Sequence, residues 1–211
     1  MLANRFVKSS AQLYLLFLAF LLSSCGQVRV TSPLSDPDKA KPDERLCGIW
    51  KLAKTDDNTL KMACLCIGKV GRQDVPAGIL KAMAMEIDKN NNIRDMSLYF
   101  FTTSAADDRY ANVFLDEVID PCKSPAWNKR NQGSFILYKY KVEEDKLTIW
   151  DMNYDAIEDV VRSGRVKGKI EGGNTKTVTL TDGEDLLRYL KGGGDKKLFE
   201  ENCKRVFLRV K

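Results

Sequence analysis

The chain has 211 residues, with 34 Lys and Arg against 29 Asp and Glu, a formal net charge of +5, six cysteines and no histidine. Charges of both signs are interspersed along it, so the basic stripe required for a nucleic-acid partner is missing. The lack of histidine removes the usual general base, the Ser-His-Asp and Cys-His nucleophile systems and the commonest neutral metal ligand.

At the N-terminus, Arg5 and Lys8 make a positive start with no acidic residue, and Leu13 to Leu22 is an unbroken apolar run. This is the pattern of a secretory signal peptide, and the run is too short to span a bilayer comfortably. It closes on Leu22-Ser23-Ser24-Cys25. That string resembles the lipobox of bacterial lipoproteins, in which the peptide is cut before the cysteine and the cysteine sulfur carries a diacylglycerol. The resemblance implies a discarded segment 1–24, a lipid on Cys25 and a membrane as the first partner. Gly26 and Gln27 stand where an aspartate retains such proteins in the inner membrane, so the implied destination is the outer membrane. Loss of Arg5 and Lys8 lowers the net charge from +5 to +3, which carries little steering information.

Residues 25–45 are rich in Pro, Ser, Asp and Lys and offer little to bury, which predicts a flexible tether. The competing expectation is that Val28 to Val30 adds an edge strand. A single folded domain is expected over 46–211. Its dominant period is two, in short segments: 47–53, 60–69, 79–88, 93–102, 134–142, 147–152, 165–170, 176–181 and 203–210. Lys89-Asn90-Asn91-Asn92 and Glu143-Glu144-Asp145-Lys146 mark two hairpins. Helices are expected late, over Tyr154 to Ser163 with Gly164 as a stop, and from Gly183 to Lys191 with Asp182 as its cap. Gly192–Gly194 ends the second, and Asp195 starts a brief turn carrying Leu198 and Phe199. No glycine-rich phosphate loop follows a strand, so neither a catalytic residue nor a cofactor is expected, and the protein is read as no enzyme.

The predicted fold is mainly β, an antiparallel meander closing into a barrel with two or three short late helices; an antiparallel sandwich is the competing arrangement. Gly48-Ile49-Trp50 at the head of the first barrel strand resembles the Gly-x-Trp of lipocalins and other calycin-like barrels. In that family the tryptophan plugs the closed end and an arginine from the last strand lies across it. Carried onto this chain, the resemblance gives Gly48 and Trp50 structural roles and offers Arg205 or Arg209 as the arginine. The tail from Leu186 to Val210 is also similar to that of lipocalin-like bacterial lipoproteins of unassigned role. The Thr-Asp-Tyr string of true lipocalins is absent.

With Cys25 assigned to lipid, Cys47, Cys64, Cys66, Cys122 and Cys203 remain as disulfide candidates in an oxidising compartment. Cys47 to Cys203, and Cys122 to Cys64 or Cys66, are both open. Cys64-Leu65-Cys66 puts two thiols on one strand face, where a half-cystine and a buried thiol are favoured over a metal site.

A barrel without catalytic groups encloses something or presents a surface. Alternation places Met83, Met85 and Ile87, then Met96, Leu98 and Phe100, then Ile136, Tyr138 and Tyr140 on inward faces, with Trp50 at the closed end. The same residues suit a packed core or a ligand cavity. Two functions follow: a carrier of a small hydrophobic ligand, or a solid barrel offering Asp107–Arg109 and Ser124–Gln132, with Trp127, to an envelope protein.

Overall fold

The computed structural model describes residues 26–53, 60–71, 75–115, 134–172, 176–201 and 204–211. Eleven strands are present among them: β1 (Gly26–Val30), β2 (Gly48–Leu52), β3 (Leu60–Lys69), β4 (Leu80–Asp88), β5 (Ile93–Ala105), β6 (Asp108–Phe114), β7 (Phe135–Glu143), β8 (Lys146–Trp150), β9 (Gly168–Glu171), β10 (Lys176–Leu180) and β11 (Lys204–Arg209). Helices α1 (Tyr154–Arg162), α2 (Gly183–Tyr189) and α3 (Asp195–Leu198) fall between the late strands.

Strands β2 to β8 form the expected antiparallel meander, each paired with the next. Strand β11 then lies antiparallel between β8 and β2 and closes an eight-stranded barrel. The tight turns follow from local chemistry. In the β4–β5 turn the Asp88 carboxylate accepts from the backbone of Asn90 and Asn92, and Asn91 takes a positive φ of 62°. In the β7–β8 turn Glu144 does the same at φ 49°. The short turn at Ala106, φ 51°, leads into β6, a strand the alternation did not reveal. Its sequence Asp-Arg-Tyr-Ala-Asn-Val-Phe mixes Asp, Ala and Asn, which are poor strand formers, and only its pairing with both β5 and β7 holds it extended.

The helices are capped as the sequence predicts. Asp182 accepts from the backbone of Asp185 at 3.0 Å, and Asn153 accepts from that of Ala156 at 3.1 Å. Their apolar stripes, Ile157 and Val160 on α1 and Leu186 on α2, are buried in a second core outside the barrel wall. That core also takes the outward side chains of β5, β6 and β7, including Phe101, Phe114 and Phe135, whose ring centroids lie 5.1 to 6.3 Å apart. The inner core holds Trp50, Leu80, Phe100, Tyr138, Leu147 and Phe207. The wall from β5 to β7 is therefore apolar on both faces, which explains runs such as Phe100-Phe101 and Phe135-Ile136-Leu137 that break alternation.

The tether expected over 25–45 is overturned for its described part. Strand β1 pairs in parallel with β10 and touches β7 through Val30 and Phe135. Leu34 is buried, its N–H donating to the Asn112 side chain at 3.0 Å, and Ser35 hydrogen-bonds Thr103 at 2.6 Å. Composition hides this because only a few apolar residues, Val28, Val30 and Leu34, anchor the segment in the outer core, and distant hydrogen bonds and close backbone contact hold the rest. Gly183 shows the closeness: a side chain there would meet the Pro33 carbonyl oxygen at 2.2 Å. Cys25 and the segment before it lie outside the described residues. No helix among the described residues is long and apolar enough to cross a membrane.

The barrel seam is sealed at one end by Arg209. It stands directly opposite Trp50 across the β11–β2 pairing, with its guanidinium carbon 4.1 Å from the indole ring centroid. The same guanidinium donates to the carbonyls of Cys47 at 2.8 Å and Arg45 at 2.7 Å. Of the two candidate arginines Arg209 fills this place, whereas Arg205 pairs with Asp151. Gly48 has φ 139°, a region that side-chain-bearing residues rarely adopt, and an added Cβ would lie 2.6 Å from Arg209 Nη1. Gly48→Ala is therefore expected to destabilise the fold by about 1–3 kcal/mol through backbone strain. Chemical denaturation of the purified chain measures this, and an unchanged midpoint would refute the role given to Gly48.

Candidate functional site: an apolar cavity in the barrel

Between the sealed end and the middle of the barrel lies a cavity of about 110 Å³. It is lined by alternate residues of seven barrel strands and by Leu46, which precedes β2. Small side chains create the space. Ala82 on β4 and Ala111 on β6 face inward among the larger Phe100 of β5, Tyr138 of β7, Leu147 of β8 and Phe207 of β11, with Tyr138 the cross-strand neighbour of Ala111. Larger residues at those two positions would fill it.

The floor is built from local turns. Asp43 caps the single 3-10 turn Glu44–Leu46, whose buried Leu46 enters the barrel. Trp50 is fully buried and donates from Nε1 to the Leu46 carbonyl at 2.7 Å. The Tyr140 hydroxyl donates to the Asp43 carboxylate at 3.0 Å, the Arg45 guanidinium donates to it twice, at 2.9 and 2.7 Å, and the Arg45 backbone N–H once, at 3.3 Å. Hydrogen bonds from Arg45 hold the Asp43 carboxyl below its usual range against the opposing effect of burial, and Tyr140 adds to them.

Polar groups are few in the cavity. Burial pushes the Tyr138 hydroxyl well above its ordinary pKa, and that hydroxyl has no hydrogen-bond partner among the described residues. Arg205 also lines the cavity and forms a half-buried ion pair with Asp151. Burial raises the Asp151 carboxyl, an effect Arg205 only partly offsets. The arrangement offers an apolar chamber whose wall buries the unpaired Tyr138 hydroxyl and holds one paired guanidinium.

The site residues expected from alternation divide into three groups. Leu98, Phe100, Tyr138 and Tyr140 line the cavity. Trp50 and Ile136 belong to the same core without lining it, and Met96 pairs with Ala84 on the inward row and is half-buried. Met83, Met85 and Ile87 are a correction: their row faces outward, and Met83 and Met85 are 52% and 36% exposed. The inward row of β4 is Leu80, Ala82, Ala84 and Glu86. Size misled the sequence reading, since the bulkier row of an Ala/Met alternation is not the buried one when the facing wall is already bulky. The lining residues missed include Leu65, Ile67, Ala111 and Val113; the signal for the first two was the row alternate to Cys64 and Cys66.

Cys47, Cys64 and Cys66 are free thiols, so none of these three disulfide candidates is in a bond. Cys122 and Cys203 lie outside the described residues, as do Ser124–Gln132 and Trp127. Asp107–Arg109, expected as a docking loop, is the tight β5–β6 turn and the start of β6.

Fold and site together define a closed eight-stranded antiparallel barrel with an apolar interior cavity, plugged at one end by a tryptophan. Scans of family models, curated proteins and solved structures found no match to this chain.

Because the folded pKa of Asp43 lies below its unfolded value, its contribution to stability is complete above about pH 4 and is lost as pH falls through the folded value. Asp43→Asn is expected to lower Tm by several degrees at pH 7 and to flatten the acid limb of the Tm profile. Thermal melts from pH 7 to about pH 2 check this; an acid limb as steep as that of the parent chain would contradict it.

Proposed function

We propose that this chain is an exported, lipid-anchored bacterial lipoprotein whose lipocalin-like barrel binds a small hydrophobic molecule with one polar end. The observation that carries the binding reading is the apolar cavity with the unpartnered Tyr138 hydroxyl in its wall. A buried hydroxyl left unpaired costs about 1–3 kcal/mol, which a ligand would recover by drawing the Tyr138 hydroxyl out of the wall into contact with its polar end. The cavity, about 110 Å³, is somewhat smaller than an engineered cavity of about 150 Å³ that takes up benzene, so a short acyl segment or a single small ring fits the space. Arg205 beside Asp151 provides a charged boundary at the chamber wall. The lipocalin-like reading draws support from Gly48, Trp50 and Arg209, which together build a plugged end on an eight-stranded up-and-down barrel.

The anchoring reading rests on Leu22-Ser23-Ser24-Cys25. Strand β1 begins at Gly26, one residue after that cysteine, so a lipid on Cys25 would hold the domain close against an outer-membrane surface instead of on a long leash. The alternative function is a solid barrel shown to an envelope protein, and the ligand experiment separates the two.

Native mass spectrometry of the chain extracted from the envelope, with titration of a single-ring apolar probe small enough for the cavity, tests the binding reading. A co-purifying small molecule or saturable probe binding is expected, with Ala111→Leu abolishing it and Tyr138→Phe weakening it several-fold while raising Tm. An empty protein that binds no probe would overturn it in favour of the solid barrel. For the anchor, Cys25→Ser is expected to leave the chain unprocessed or released and without labelled fatty acid. Normal acylation and outer-membrane retention of that variant would sink the lipoprotein reading.

A further inference from the structure

The outward face of β3 and β4 carries a concentration of sulfur that the barrel interior does not use. Cys64 stands directly opposite Met85, and Cys66 directly opposite Met83, in the antiparallel register. All four side chains share the outer row: Cys66 and both methionines are exposed, and Cys64 is half-buried. Opposed residues in such a pair have Cβ atoms about 4.5–5.5 Å apart. Successive residues on one row are separated by two strand rises, about 7 Å. Two thiols and two flexible thioethers thus stand at the corners of a small rectangle on a rigid, hydrogen-bonded surface. Neighbouring strands supply no further sulfur on these rows, since Ile49 and Lys51 lie beside the cysteines and Ser97 and Asp95 beside the methionines.

Donor chemistry selects the occupant. Thiolate and thioether sulfur are soft ligands and favour cuprous copper, while zinc favours closed sets of cysteine and histidine, and hard cations need oxygen. Among the described residues no group of three or more His, Cys, Asp or Glu is placed to hold a metal, so a zinc or calcium site is not available on this face. Methionine supplies the missing donors. Its unbranched, polarizable side chain adapts to an ion without backbone movement. We propose that Cys64, Cys66, Met83 and Met85 form a surface site for a soft monovalent metal ion, cuprous copper, independent of whatever the cavity holds.

The test is an anaerobic titration of the reduced, full-length protein in detergent with Cu(I), against a colorimetric Cu(I) chelator. One tightly bound equivalent is expected, with a sulfur-only first shell by X-ray absorption and displacement by Ag(I) but not by Zn(II). Cys64→Ser or Cys66→Ser should weaken binding by more than about tenfold, the scale on which even outer partners of a metal matter. Met83→Leu with Met85→Leu keeps the apolar bulk and isolates the thioethers; it should weaken binding several-fold with the melting curve unchanged. Replacing Cys47, Cys122 and Cys203 together by Ser should leave the bound equivalent in place. Retention of Cu(I) by the Cys64→Ser/Cys66→Ser variant, its loss from the triple variant, or equal competition by Zn(II) would each overturn the assignment.

Discussion

The stacking of Arg209 on Trp50 is the contact on which the closed barrel depends. It joins β11 to β2, the first strand of the barrel, at a seam only three residue pairs long. Such a short ladder gives limited backbone hydrogen bonding, extended by the bonds from Val210 to Ile49 and from Ala53 to Val206. The guanidinium adds a cation over an aromatic face and two donors to the carbonyls of the chain just before β2. One side chain therefore closes the cylinder, covers the tryptophan and secures the segment that plugs the end. Gly48 exists in that position because the backbone must turn through a positive φ beside the arginine.

With the cylinder closed, its wall is asked to do two things. The inner face packs around Trp50 and Phe207, and the outer face from β5 to β7 packs against α1, α2, β1 and β10. Lys139 bridges the outer layers, its ammonium 2.8 Å from Asp108 on β6 and 2.9 Å from Asp195 at the start of α3. Burial alone would lower the Lys139 pKa, but hydrogen bonds to Asp108 and Asp195 outweigh it and keep the ammonium charged. The other side of the barrel, β2 to β4 and β11, has no such cover among the described residues. That is where Ile49, Met83, Met85 and Leu208 are exposed. An asymmetric barrel of this kind keeps one flank for its own packing and leaves the other for solvent or a ligand.

The cavity follows from the distribution of side-chain volume within that frame. Two alanines, Ala82 and Ala111, stand among much larger lining residues, and the difference in volume is what remains open. Tyr138 fills space with its ring and buries its hydroxyl in the chamber wall, where it has no partner among the described residues. A solid barrel would bury a phenylalanine there more favourably.

Much of this was legible in the sequence. Period-two segments located most of the strands, Asn91 and Glu144 marked their hairpins, and Asp182 marked a helix start, because each of these is decided within a few residues by steric and hydrogen-bonding rules. Gly48-Ile49-Trp50 pointed to the plugged end only through its resemblance to the Gly-x-Trp of lipocalin-like barrels. Strand β6 and the packing of residues 31–45 were not legible, since both are held by partners far away in the chain, such as Asn112 against Leu34, whereas the strand at Val28 to Val30 was legible as the alternative to a tether. Nor was the inward row of β4: alanine and methionine alternate there, and either row is apolar enough to bury. What the local sequence determined was a meander of strands with a tryptophan at its head. What the tertiary structure alone decided was which face of each strand looks inward, because that depends on the volume already placed on the opposite wall.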